Sequence, residues 1–136
     1  MNALFHAHSG LRYLIILVAL VAVVVMTKGL ISHKPVKRAA SLSVTFTILV
    51  DLQFMLGLGL FMGGISYDAL FGHLMLMLAA AVVANAALVL ASQPRTARST
   101  LIIRLSGIVF TMLLIVAGIM AIGRPVFGSA AMTIMQ

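Results

Sequence analysis

Four blocks of mostly apolar residues, 5–27, 40–62, 69–91 and 101–122, are separated by three short polar connections. A transmembrane helix needs about 20 such residues, so each block predicts one span. The connections, KGLISHKPVKR, GGISYD and SQPRTARS, leave no room for a separate soluble domain. Residues 1–136 therefore read as a single transmembrane domain. The expected fold class is all-α, an integral membrane four-helix bundle. The first block lacks a basic leading segment, and Lys28 rather than a small-residue cleavage site ends it. It reads as a retained span, not a signal peptide.

Composition strengthens this reading. The chain is 63% hydrophobic and 8% charged, with a mean hydropathy of +1.24. A soluble domain carries about a quarter charged residues. A chain this apolar cannot cover its own surface in water, so its main partner is the lipid bilayer.

The net charge of +7 would suit nucleic acid if it formed one basic face. It does not. Lys28, Lys34, Lys37 and Arg38 follow the first span; Arg95 and Arg98 follow the third, with Arg104 just inside the fourth. Only Arg12 and Arg124 lie at the other ends. Seven against two is the bias of cytoplasmic loops. It predicts both termini on the outer, periplasmic side of a bacterial inner membrane, and no nucleic-acid partner. The absence of cysteine excludes thiolate clusters and covalent haem attachment through C-x-x-C-H.

Small residues mark close helix approaches. Gly59 and Gly63 stand at small-xxx-small spacing, AAAVVANAA lines the third span, and Gly118 and Ala121 do the same in the fourth.

The ionisable residues at membrane depth carry the chemistry. His8 lies about one turn into the first span and His73 about one turn into the third. Both spans start on the same side, so the two imidazoles stand at matched depth. Parallel helices so furnished can offer two axial ligands to one haem iron. Arg12, one turn below His8 on the same face, is a candidate partner for a haem propionate. Tyr13, Tyr67 and Asp68 are further polar groups at that level. Met77 shares the face of His73 and could touch a haem edge or ligate in place of a histidine; Met75 does not share that face. As plain filler, methionine serves cores equally well.

His6 stands about 200° around a helix from His8, so both cannot serve one site if the segment is helical. If residues 6–8 are extended, HAH could chelate copper or zinc with His73 or Asp68. His33 falls in a basic connection and is expected to be solvated. Asp51, near the middle of the second span, reads either as a proton or quinone site or as a polar clamp to Thr47, Ser106, Thr111 or Asn85. Gln53 faces another way and could bridge helices likewise.

The stretches HSGLRY, DLQFMLGLGL, GHLMLML and AGIMAIGRPVF, which together span nearly the whole chain, resemble a group of small four-span bacterial membrane proteins. Some of that group carry a cytochrome-b-like label. The resemblance implies a non-covalent haem b, with His8 and His73 at the positions of its histidine pattern. Where that pattern can carry a further histidine, this chain has Asp51 and Asn85, so one haem is implied.

The function expected is electron transfer, or service as a small subunit of a respiratory or photosynthetic complex, with a quinone or periplasmic redox partner. With no nucleophile–base pair and no carboxylate dyad, the chain is not expected to be an enzyme alone. A homo-oligomer or a larger membrane complex suits its Gly-rich faces. The rival readings are a haem-free accessory subunit, and a small transporter or metal-handling protein built on Asp51, His6 and the methionines.

Overall fold

The computed structural model describes residues 2–34, 36–64 and 68–123. They form four α-helices: α1 (Asn2–Ile31), α2 (Ala39–Met62), α3 (Asp68–Ser92) and α4 (Ala97–Ala121). No strand occurs among the described residues. All four helices are long and apolar enough to cross a membrane.

Local chemistry sets where the helices end. α1 outruns its apolar block at both ends, because nothing in NAL or KGLI stops a helix. α4 starts four residues before its apolar block. Thr96 is extended there, and its side chain accepts the Ser99 N–H at 3.2 Å, which satisfies one of the donors that a helix start leaves open. Arg98 therefore lies in the first turn of α4 rather than in the connection. α2 stops at a glycine pair. The Gly63 N–H bonds the Gly59 carbonyl at 3.0 Å, and Gly64 turns at φ 92°, a backbone conformation that suits glycine.

Short connections make successive helices antiparallel, so α1 and α3 run the same way. α1 packs on α2 and α4, α3 packs on the same two, and α2 meets α4 across the middle. The backbones of α1 and α3 do not pack against each other. The cross-section is a rhombus with α1 and α3 at its far corners.

The interior is built on a seven-residue rhythm. Ile15, Ala19, Ala22 and Met26 form the seam of α1, and Leu101, Ile108 and Ile115 recur on α4. α3 contributes Ala80, Ala81 and Ala84, all buried. Large side chains such as Leu17, Leu20, Val82, Phe110 and Leu113 face outward. So much exposed apolar surface would drive association in water; against lipid it is the solvent-facing surface. Small residues close the bundle where it is tightest, between α3 and α4. Gly107 lies directly against Ala87, and Gly118 against Met77. Gly59 meets only Leu4 at ordinary contact distance, and Gly63 is exposed at the α2 cap.

A polar pair joins α2 to α3. The Asn85 amide nitrogen donates to Asp51 Oδ1 at 2.9 Å and also to the Ala81 carbonyl at 3.0 Å. Of the four partners considered for Asp51, Asn85 is the one it bonds. The two sides of this pair are unequal. Asn85→Leu strips the Asp51 carboxyl of that donor, whereas Asp51→Leu leaves Asn85 its bond to Ala81. Asn85→Leu should therefore destabilise more, by about 1–2 kcal/mol. The double variant should recover most of that loss, as unfolding in mixed micelles will measure. Equal single-variant losses that simply add would refute the pairing.

Candidate functional site

The rhombic section creates the site. His8 on α1 and His73 on α3 reach inward from opposite corners near one end of the bundle, and their ring centroids stand 6.4 Å apart with planes at 81°. Both are half-buried. The helix directions set the shared level, and the diagonal placement makes the rings face each other across a gap rather than lie side by side.

Hydrogen bonds define which ring nitrogen carries the proton. His73 Nδ1 is 2.8 Å from the Gly118 carbonyl. A carbonyl only accepts, so Nδ1 donates, and the lone pair of the neutral ring is on Nε2. His8 is held by Gln53, which is buried. The Gln53 amide nitrogen donates to the His8 main-chain carbonyl at 3.0 Å and lies 3.4 Å from His8 Nε2. An amide nitrogen donates only, so His8 Nε2 is also the acceptor nitrogen of its ring. Both imidazoles are thus set with the lone pair on Nε2. For His73, whose Nδ1 is anchored to a carbonyl, this is the usual preparation for metal binding, whereas at His8 the Gln53 amide already lies against Nε2.

Two glycines make room for the rings. A Cβ at Gly57 would come within 3.0 Å of His8 Cε1. A Cβ at Gly118 would lie 2.5 Å from the Met77 methyl and 3.4 Å from His73 Nδ1. A side chain at Gly57 would press on His8, and one at Gly118 would displace the Met77 methyl beside His73.

Cavities of about 80 and 60 Å3 lie beside the histidine pair, and His8, Gln53, His73 and Met77 line both. The larger has apolar walls, with Phe54 and Phe61 from α2 and Leu70 and Leu74 from α3. Arg12 lines the smaller one. It also donates to the Tyr13 hydroxyl at 2.8 Å and lies over the Tyr13 ring. His8, His73, Arg12 and Met77 therefore converge on one place, and Gln53 joins them.

Other candidates lie elsewhere. Residues 6–8 are helical, not extended, so the condition for HAH chelation is not met. His6 is exposed and makes an edge contact with the Phe5 ring at 6.0 Å. Among the described residues no three His, Asp or Glu side chains come together. Met75 faces outward, and Asp51 and Asn85 belong to the α2–α3 contact described above. Tyr67, the Asp68 side chain and Arg124 lie outside the described residues.

The sequence reading did not find Gly57 or the Gly118 carbonyl as parts of the site. Gly57 had a usable signal: it stands one turn from Gln53 on the same face, an opening beside a polar group at membrane depth. The Gly118 carbonyl had none, since main-chain acceptors are invisible until helices are packed. Comparison of the chain with protein-family models, with curated proteins and with solved structures found no match.

Proposed function

We propose that this chain is an integral membrane electron carrier that holds one b-type haem between His8 and His73. It acts alone or as a small subunit of a respiratory or photosynthetic assembly. The observation that carries this reading is the ring separation. The measured separation is 6.4 Å. Two imidazoles that each reach one metal ion through a bond of about 2.0–2.1 Å would stand roughly this far apart.

The donor set also suits haem better than a bare ion. Two imidazoles leave a zinc or copper ion short of ligands, but would suffice as the protein's ligands to a haem. When bound, the haem supplies a reversible one-electron couple. The chain would supply the rest. The Gly118 carbonyl holds the His73 proton on Nδ1, Gln53 anchors the α1 backbone at His8, the phenylalanines and leucines keep water out, and Arg12 offers a cation for a propionate. The resemblance of HSGLRY and GHLMLML to cytochrome-b-like bacterial proteins points the same way. The Lys and Arg asymmetry supports an orientation with the histidine end on the periplasmic side of a bacterial cytoplasmic membrane, where a quinone or a periplasmic protein can meet it.

The size of the cavity favours a second reading, a haem-free accessory subunit of a larger complex. About 80 Å3 beside the histidines is well below the several hundred Å3 of a cofactor pocket. To hold a haem, the side chains that line this space, Phe5, Phe61 and Leu70 among them, would have to move apart. One measurement separates the two. Purified from membranes and reduced with dithionite, or reconstituted with haemin, the protein should show sharp α and Soret bands at one haem per chain. A protein that stays colourless through reconstitution overturns the haem reading.

A further inference from the structure

The opposite end of the bundle holds another cavity, of about 280 Å3, between the C-terminal turn of α1 and the first turn of α4. His33, Lys34 and Arg98 line it, over an apolar floor of Gly29, Leu30 and Leu101. We propose that this cavity binds one anionic phospholipid, with the headgroup phosphate between Lys34 and Arg98 and an acyl chain against Leu30 and Leu101.

Charge is the first argument. The chain has two acidic side chains: Asp51, bonded to Asn85 in mid-membrane, and Asp68, which opens α3 at the other end. Both stand away from this end of the bundle, so neither acidic side chain serves as counter-charge to the three basic residues there. Pockets of this kind, basic and set between helix ends at the membrane surface, suit acidic lipid headgroups.

The second argument is that the fold builds the cavity. α1 continues past Lys28 to Ile31, and the chain then turns back on itself. The Lys34 N–H bonds the Gly29 carbonyl at 3.2 Å, and His33 sits at φ 53°, with Nδ1 donating to the Ile31 carbonyl at 3.0 Å. Left-handed backbone is better tolerated by histidine than by most side chains, and it reverses the chain here. A Cβ at Gly29 would collide with the Val36 side chain, so the fold-back needs that glycine. The early start of α4 at Ala97 brings Arg98 to the opposite wall. The mixed lining selects the ligand: a free anion needs no leucine floor, whereas a phospholipid presents phosphate and hydrocarbon together.

The test uses the full chain, delipidated in a neutral detergent. Native mass spectrometry reads retention of added phosphatidylglycerol against phosphatidylcholine, with inorganic phosphate as competitor. Phosphatidylglycerol should be retained one per chain and selectively. Lys34→Ala with Arg98→Ala should weaken retention about tenfold, and Lys34→Arg should keep it. Lys37→Ala with Arg38→Ala, at the same end but outside the cavity, should change it less than about twofold. Circular dichroism checks that each variant keeps its helices. Equal retention of phosphatidylcholine, equal loss in the two double variants, or full displacement by inorganic phosphate would each overturn the proposal. The last outcome would assign the cavity to free phosphate.

Discussion

If the proposed haem is bound, His73→Ala should abolish the reduced-state α band and His8→Ala should do the same, while each variant is expected to insert and fold. Each substitution deletes one of two imidazoles that face each other 6.4 Å apart from helices whose backbones do not pack against each other. Neither ring is the main support of the bundle, although His73 bonds the Gly118 carbonyl of α4. The seams of Ile15 to Met26 and Leu101 to Ile115 give that support, and they lie deeper. Cofactor occupancy should therefore fall by more than about tenfold for either variant, while stability changes by about 1 kcal/mol, as for a half-buried truncation. Gly118→Val is the informative companion. It keeps both imidazoles but drives a side chain against the Met77 methyl, beside the ring that Gly118 orients. It should lower haemin affinity and broaden the α band. Wild-type spectra in all three variants would show that the histidines hold no iron, and the site would then belong to the accessory-subunit reading.

Gly107→Leu is expected to be the most damaging single substitution to the fold, by about 3 kcal/mol, the upper end of what overpacking costs. Even the first added carbon would collide with the Ala87 methyl, and behind it lies the Ala87 backbone. Neither side can yield, because a methyl group has no rotamer to escape into and each helix backbone is rigid. The α3–α4 contact, the tightest in the bundle, has to open. Gly10→Ala is the control. Nothing lies within 4 Å of a Cβ there, so the added methyl costs nothing in packing. It should raise stability by about 0.5–1 kcal/mol through helix propensity. Unfolding of both variants in mixed micelles distinguishes close packing from a general intolerance of change at glycine. Similar losses in the two would remove the argument from the Ala87 contact.

Much of the architecture was open to reading along the chain. Blocks of about 20 apolar residues can only be satisfied in lipid as helices, because no water is there to bond a bare backbone. Short connections then force alternate directions. Alternate directions bring His8 and His73 to one level, since both open spans that enter from the same side. The ends of the helices were less legible: the Thr96 cap moved Arg98 into α4, and KGLI prolonged α1.

The rotation of each helix about its axis could not be read in this way. A span that is apolar all round sits in lipid equally well at any angle, so hydropathy carries depth and direction but no azimuth. Contacts of small residues, Gly107 on Ala87 and Gly118 on Met77, supply that angle. Only with it set do α1 and α3 fall on the long diagonal, the two rings come to 6.4 Å, and the Gly118 carbonyl meet His73 Nδ1. The same holds for Lys34 and Arg98, which are 64 positions apart in the chain and share a cavity only because the end of α1 folds back toward the start of α4. Insertion into the membrane is thus a property of each segment's composition, whereas the site depends on how four cylinders turn against one another, which close packing alone decides.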